Sequence, residues 1–425
     1  WRVAAMALVA SNGPGDGVER SRPGLRLAPR LLRPVEASRR GAPEAPVYLD
    51  HNATTPMAGP VVEAMLPFLV EQFGNPSSNH PYGRRAREAV DRSRGQVSAL
   101  LGCEPDEVVF TSGGTESNNL AIRGVVEAAA GRGHVVTSTV EHPATAQPCG
   151  LLERLGHEVT RLPVDPHGAM DASEASALVR PGTTLLTVLL AQNEVGTLMP
   201  VAGLARLARE RGSLVHTDAA QAVGKVPVGV RDLGVDLLSV AGHKLYGPKG
   251  VGALYVRRGT GIEPLLLGAG HERGLRPGTE NVAGIVGLGA ACELARATLD
   301  AEAPRQRALR DELFDALRNG VPGLRRNGHP TECLPNTLNV SFPGVTGADL
   351  LARVPEIAAS TGSACHDGVS LPSPVLVAMG VSHDTALGAV RLSIGRSTTG
   401  EDVRLAAAAL LRAFAELGGP RGTPG

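Results

Sequence analysis

A lysine and an aspartate at the ends of two strand-like runs carry the clearest chemical signal in this sequence. Lys244 follows the apolar run 235–240 and precedes a Gly/Pro-rich turn, and Asp218 ends another strand-like run upstream. An amine that forms a Schiff base and a carboxylate that holds a pyridinium nitrogen are the two protein groups that pyridoxal 5′-phosphate (PLP) requires. Lys244 alone is equally compatible with a solvated surface lysine, so the assignment depends on the residues around it.

The segment 111–119, Thr-Ser-Gly-Gly-Thr-Glu-Ser-Asn-Asn, follows a strand-like run and opens a helix-like one. Glycines let the backbone approach an anion closely, and the free amides of a helix N-terminus bind phosphate. The segment is neither a dinucleotide-binding G-x-G-x-x-G motif nor a P-loop. Taken alone it is equally compatible with a plain helix cap. Its predicted place, at the carboxyl end of a strand, is where doubly wound sheets bind ligands.

Polar residues follow several other strand-like runs. His142 is either a structural histidine or one that stacks on a cofactor ring, and the run 192–194 is Gln-Asn-Glu. Gln221, about one helical turn after Asp218, is placed to reach a ring hydroxyl. His243, next to the lysine, is placed to contact a phosphate.

The segment 360–368 contains Cys365 among small and polar residues, which is typical of an exposed loop. An exposed cysteine in such a loop is a candidate nucleophile, although an inert loop cysteine is an equal alternative. Arg391 lies at the end of a later strand-like run, where a guanidinium can bind a substrate carboxylate bidentately. The five cysteines are widely spaced and include no Cys-x-x-Cys pair, so the sequence does not support a metal site.

From residue 47 onward, strand-like and helix-like segments alternate, which predicts an α/β sheet with helices on both faces. A less regular region begins near residue 299 and predicts a smaller α+β domain. We expect an N-terminal segment over 46–61 that joins the small domain, a large cofactor domain over 62–299 and a small domain over 300–425. The predicted strands are 107–111, 134–139, 185–190, 214–216, 236–240, 252–256, 336–341 and 390–394, and the predicted helices are 84–101, 200–211, 303–320 and 401–417.

Residues 1–45 differ from the rest, with eight arginines, no lysine and four acidic residues. We expect a disordered leader, and an organelle-targeting peptide is the alternative.

The whole chain has 42 basic and 42 acidic residues and no apolar run as long as a membrane span, which argues against nucleic-acid and membrane partners. An odd number of scattered cysteines favours a reducing compartment, so we expect a cytoplasmic protein.

Seven segments in fixed order give this sequence a family resemblance. Together they resemble the cysteine desulfurase and selenocysteine lyase family over about 47–417, and the number of separate segments makes the match specific. The family is PLP-dependent and homodimeric and has fold type I, with a large, mainly parallel, doubly wound sheet domain and a smaller α+β domain. The segments are 48–56, 73–78, 111–115, 216–221, 243–244, 276–281 and 362–365.

The resemblance implies a role for each residue. Lys244 forms the Schiff base and His142 lies over the ring, while Asp218 holds the ring nitrogen and Gln221 the ring oxygen. The other implied roles are phosphate binding by Gly114, Thr115 and His243, contact with substrate and ring by Asn193, contact of Thr279 with the phosphate of the partner subunit's cofactor, carboxylate binding by Arg391 and persulfide formation on Cys365. Ala241 departs from the pattern, because many desulfurases have a phosphate-binding serine three residues before the lysine.

The implied reaction converts L-cysteine to L-alanine. Lys244 takes the α-proton, the Cys365 thiolate attacks the substrate sulfur, and the resulting persulfide passes its sulfur to an acceptor protein, such as an iron–sulfur scaffold or a sulfur carrier. One alternative is a selenocysteine lyase that releases selenium from L-selenocysteine. Two others are a fold-type-I aminotransferase, which needs no cysteine, and a non-catalytic scaffold partner, against which Lys244, Asp218 and Cys365 together argue.

Overall fold

The computed structural model describes residues 45–129, 131, 133–362, 365–366 and 369–418. The predicted leader over 1–45 therefore lies almost wholly outside the described residues. The strands, numbered along the chain, are β1 Val47–Tyr48, β2 Val108–Thr111, β3 His134–Ser138, β4 Glu158–Leu162, β5 Thr183–Leu189, β6 Leu214–Asp218, β7 Leu237–Ala241, β8 Gly252–Val256, β9 Arg325–Asn327, β10 Thr337–Ser341, β11 Ile357–Ala358, β12 Cys365–His366, β13 Val369–Ser370 and β14 Ala389–Ser393. The helices are α1 Gly59–Val70, α2 Pro81–Leu101, α3 Gly114–Ala128, α4 Pro143–Arg154, α5 Ala172–Leu178, α6 Val201–Glu210, α7 Val230–Leu233, α8 Val282–Gly320, α9 Gly347–Ala352, α10 Pro374–Ala378, α11 His383–Leu387 and α12 Gly400–Glu416.

The main sheet has seven strands in the order β2-β8-β7-β6-β5-β3-β4. Strands β4, β3, β5, β6 and β7 are parallel, and β8 runs antiparallel to both of its neighbours, β7 and β2. Strands β3, β7 and β8 are buried along their whole length, as expected for a sheet covered by helices on both faces. The predicted α/β fold with a large, mainly parallel sheet is confirmed. Sequence analysis missed β4 because this edge strand is short and half-exposed.

One long helix, α8, contains the segment over which a separate helix was predicted at 303–320. Pro304 lies inside it and removes one backbone hydrogen bond without ending the helix. The first half of α8 is long and apolar enough to resemble a membrane span, but 56% of that stretch is buried in the protein, against α1 and α2. That burial is what a core helix shows. The predicted domain boundary between residues 299 and 300 falls within α8 and stays a prediction.

A second, three-stranded antiparallel sheet has the order β14-β10-β9. Its core includes Leu338, Phe342 and Val390 together with Leu410 of α12. The N-terminal segment joins this region, because β1 pairs with β11 and Leu49 is part of the same core. Residues just after β1 continue toward the main sheet and reach the candidate site described next.

Candidate functional site

Asp218 lies at the carboxyl end of β6, where its side chain is buried and fully engaged. One carboxylate oxygen accepts from the Asn118 amide nitrogen at 2.7 Å, and the other accepts from the Ala220 backbone N–H at 2.9 Å. The residue is 8% exposed. Two donors hold the carboxylate in place, so it is suited to bind a protonated ring nitrogen.

Lys244 ends a single 3₁₀ turn, Gly242–Lys244, that follows β7. Its amine donates to the backbone carbonyls of Asn52 and Ala53. Burial, with a smaller effect of the Arg391 charge, lowers the pKa of the amine to about 8, and Asp218 partly opposes this. A lowered pKa increases the neutral fraction of the amine near neutral pH, and only the neutral amine can attack a carbonyl carbon or accept a proton.

Two histidines lie close to these groups, and both have a lowered pKa. His142 is the N-cap of α4, and its Nδ1 accepts from the Ala144 backbone N–H at 3.1 Å. Burial lowers its pKa; the charge of Asp218 partly opposes this, and the charge of Lys244 adds to it. His243 pairs with the Thr54 hydroxyl at 3.1 Å, and burial and the Lys244 charge lower its pKa to about 4. His243 is therefore neutral at physiological pH, and His142 is also held toward its neutral form.

The first turn of α3 lies beside the ends of β6 and β7. A Cβ added at Gly114 would lie 3.3 Å from the Ala241 Cβ and 3.9 Å from the Ala220 Cβ. Thr115, the next residue, is exposed. The first amides of a helix have no acceptor within it and bind anions. Ala241 lies beside this turn, so its position next to the predicted phosphate site carries no side-chain hydroxyl.

Asn52 connects several of the predicted site residues, although sequence analysis assigned it no role. Its backbone carbonyl accepts from Lys244 and from the Gln221 amide nitrogen, the latter at 2.9 Å. Its side-chain nitrogen donates to the Asn193 carbonyl at 3.2 Å. The sequence signal for this role is the place of Asn52 in the segment 48–56. That segment alone does not indicate which distant side chains Asn52 meets.

Arg391 on β14 is 7% exposed and approaches the same place from the smaller sheet. Its guanidinium donates to the Asn193 carbonyl at 3.1 Å and forms a 2.6 Å ion pair with Asp50, which sequence analysis also missed. Its Nε is buried with no partner among the described residues. The Nε–H is thus a donor that a ligand could use, and an Nη2–H becomes available if Asp50 withdraws.

Glu141, next to His142, is a further residue that sequence analysis did not single out. Its Oε1 accepts from the Ser138 hydroxyl at 2.6 Å and from the Leu189 N–H at 3.1 Å, whereas its Oε2 is buried with no partner among the described residues. Burial raises the pKa of this carboxyl to about 8. It is thus mostly protonated at neutral pH and adds little charge beside Asp218.

The predicted nucleophile, Cys365, and the predicted dimer contact, Thr279, lie on two separate segments. The backbone of Cys365 pairs with Ser370 in a short hairpin, but its side chain lies outside the described residues. Glu194 lies near both ends of this segment, since it accepts from the Ser373 hydroxyl at 2.6 Å and would lie 2.1 Å from a Cβ added at Gly362. Thr279 is exposed on the loop that precedes α8. The structure therefore brings together the predicted residues around Lys244 and Asp218, but it does not bring Thr279 of the same chain to them.

Comparison with known proteins agrees with this geometry. A "Cysteine desulfurase IscS" from Dictyoglomus turgidum is 47% identical over 360 residues, which cover 84% of this chain and 91% of the relative. A human "Cysteine desulfurase" is 42% identical over 417 residues, which cover 95% of this chain and 90% of the relative. A solved structure entitled "NIFS-LIKE PROTEIN" superposes with a TM-score of 0.83 at 37% identity and covers 87% of this chain and 100% of its own. A structure entitled "SspA in complex with cysteine" superposes with a TM-score of 0.72 at 36% identity and covers 82% of this chain and 98% of its own. Residues 47–405 match the family model "Aminotransferase class-V", and the chain belongs to that family.

Proposed function

We infer that this protein is a PLP-dependent cysteine desulfurase that converts L-cysteine to L-alanine and an enzyme-bound persulfide. The observation that carries this is the position of Lys244, an amine of lowered pKa at the end of β7, beside β6 and the buried carboxylate of Asp218. The family and its desulfurase relatives support the same activity.

The residues around Lys244 fit PLP. Asp218 is suited to the ring nitrogen, His142 to the ring face, and Gln221 to the ring oxygen. The amides at Gly114 and Thr115, together with His243, would hold the phosphate. Among the described residues, a Cβ added at Gly114 would meet only the side chains of two alanines within 4 Å, Ala220 and Ala241. When bound, PLP withdraws electrons from the substrate α-carbon, which acidifies the α-proton and weakens the adjacent bonds.

The chain's own residues then bind the substrate and move its proton. Arg391 binds the substrate carboxylate by exchanging Asp50 for it, with its unpartnered Nε as a further donor. Asn193, whose carbonyl contacts both Arg391 and Asn52, orients the substrate. The neutral Lys244 amine accepts the α-proton, a role for which a pKa of about 8 is well matched.

Sulfur transfer requires a thiolate, which we assign to Cys365. Its sulfur attacks the substrate sulfur, so that an S–S bond forms while the substrate C–S bond breaks, and the electron pair left on the substrate carbon takes up a proton as alanine forms. The persulfide then passes its outer sulfur to the thiol of an acceptor protein, for which an iron–sulfur scaffold or a sulfur carrier is suited. This exchange restores the Cys365 thiolate.

The test of the function is turnover of L-cysteine and L-selenocysteine measured side by side in the presence of a dithiol, which reduces the persulfide and so releases its outer sulfur as sulfide, with alanine and the released sulfide or selenide quantified. We expect substantial alanine formation from L-cysteine. A selenol is more acidic and leaves more readily than a thiol, so turnover of selenocysteine as well is expected. Undetectable turnover of cysteine together with rapid turnover of selenocysteine would establish a selenocysteine lyase instead.

We also propose a homodimer whose active sites lie near the subunit interface. Large apolar side chains are exposed in two segments, with Phe73 78% and Leu267 91% exposed. A groove lined by Pro76, His271 and Glu280 joins these segments, and Thr279 lies beside that groove. Exposed apolar surface of this kind is typical of an interface between subunits.

Replacing Thr279 by alanine is expected to weaken PLP binding about 5- to 150-fold, because a hydrogen bond to a charged group contributes about 1–3 kcal/mol. The measurement is the PLP dissociation constant of the apoenzyme. The matched control is Thr331→Ala, an exposed threonine whose hydroxyl pairs with His329 of its own loop. A fully active monomer in analytical ultracentrifugation would contradict the dimer proposal.

A further inference from the structure

Lys225 is a second buried lysine in this site, and the roles proposed above do not use it. It lies in the turn that follows β6, four residues after Gln221. Gly224 has φ +78°, a conformation that favours glycine. This turn brings the Lys225 side chain back beneath Gln221. The residue is only 8% exposed.

The Lys225 amine is held by two neutral side chains. It donates to the Gln221 Oε1 at 2.7 Å and to the Asn52 Oδ1 at 2.9 Å. The charges that act on it, Lys244 and Arg391, are both positive, and burial lowers its pKa well below the ordinary value for lysine. Burying an amine among like charges is unfavourable. We therefore consider what Lys225 does to the two side chains that it contacts.

Both contacts settle the orientation of an amide group. A protonated Lys225 can only donate, so the Gln221 oxygen faces it and the Gln221 nitrogen faces the Asn52 backbone carbonyl. That nitrogen gives one hydrogen to the Asn52 carbonyl at 2.9 Å and keeps a second for a ligand. In the same way the Asn52 oxygen faces Lys225, and the Asn52 nitrogen faces the Asn193 carbonyl and the Thr337 hydroxyl.

We propose that Lys225 is a positioning residue that keeps the Gln221 amide nitrogen directed toward the cofactor ring oxygen. This inference rests on the proposed function, because it gives the ring oxygen as the partner of Gln221. The constraint is strict for the charged amine, which has no acceptor, whereas the neutral amine has hydrogens for both bonds and also one lone pair. The wider surroundings of the amine include His51, Lys244 and Glu302, which line the same small cavity of about 20 Å³.

The test compares the wild type with Lys225→Met, which keeps nearly the length of the side chain and removes both of its hydrogen bonds. If the Gln221 amide is free to turn, its oxygen faces the ring oxygen for part of the time. Two oxygens in contact disfavour the ionised form of the ring oxygen. The pH midpoint of the visible absorbance change of the bound cofactor is then expected to rise by about one unit. PLP affinity of the apoenzyme is expected to fall about tenfold, and Lys225→Gln, whose shorter side chain still ends in an NH₂ donor group, should recover part of both.

The matched control is His134→Leu, which also removes two buried side-chain hydrogen bonds, to Thr160 and Thr183, both 2.9 Å long. His134 begins β3, so it lies at the opposite end of the parallel strands from the site. A shift of the pH midpoint in Lys225→Met but not in the control supports the proposal. Equal midpoints and affinities in the two variants, in a protein whose wild type binds PLP and releases alanine, would overturn it. Failure of the wild type to bind PLP would instead refute the proposed function.

Discussion

Replacing Lys244 by alanine is expected to abolish turnover and to leave PLP bound only reversibly. The variant loses both the amine that attaches the cofactor and the base that takes the α-proton, and removal of a general base alone slows a reaction by about 10²–10⁴-fold. After borohydride reduction, mass spectrometry should find the cofactor on the Lys244 peptide of the wild type and on no peptide of the variant. The visible absorbance of the variant should be lost on dialysis.

Two other lysines serve as controls for this experiment. Lys249 is exposed five residues along the chain, and Lys249→Ala should retain covalent cofactor and turnover. Lys225 lies within electrostatic reach of Lys244, so its peptide should be checked for the label as well. Normal turnover of Lys244→Ala, or a wild-type label found on Lys225, would contradict the assignment.

Replacing Cys365 by serine is expected to leave the cofactor absorbance unchanged and to lower alanine formation from L-cysteine by about 10³-fold or more, the scale of loss seen when a catalytic nucleophile is removed. The structure supports this choice through the other thiols. Burial raises the pKa of Cys103, Cys149 and Cys292 to about 12, so they stay protonated and are poor nucleophiles. Cys333 is buried, with an Arg310 nitrogen 3.2 Å from its sulfur.

Mass spectrometry after brief incubation with L-cysteine should find one extra sulfur on the Cys365 peptide. Cys103→Ser, which changes a half-buried thiol away from the site, is the matched control and should retain turnover. Extra sulfur found mainly on the Cys103 or Cys333 peptide would refute the assignment. Unchanged turnover in Cys365→Ser, with cofactor still bound, would favour an aminotransferase-like reaction.

The sequence by itself determined the fold class and the part of the site that follows from local patterns. Alternating apolar runs and helices predicted the sheet, because buried parallel strands and amphipathic helices have distinct periods. Lys244, Asp218 and the glycines near residue 114 come directly after strands, and parallel strands bring their carboxyl ends to one edge of a sheet. Local order along the chain therefore sufficed to predict that these residues meet.

Tertiary structure alone decided which distant groups complete the site. Arg391 pairs with Asp50, 341 residues away, and Lys225 bonds Asn52, 173 residues away. Periodicity cannot predict such pairs, because they depend on how the N-terminal segment and the smaller sheet pack onto the main sheet. The same holds for the lowered pKa of Lys244, which arises from burial and from the charge of Arg391: a sequence shows an ionisable group, but only the folded chain determines how much water and which charges surround it.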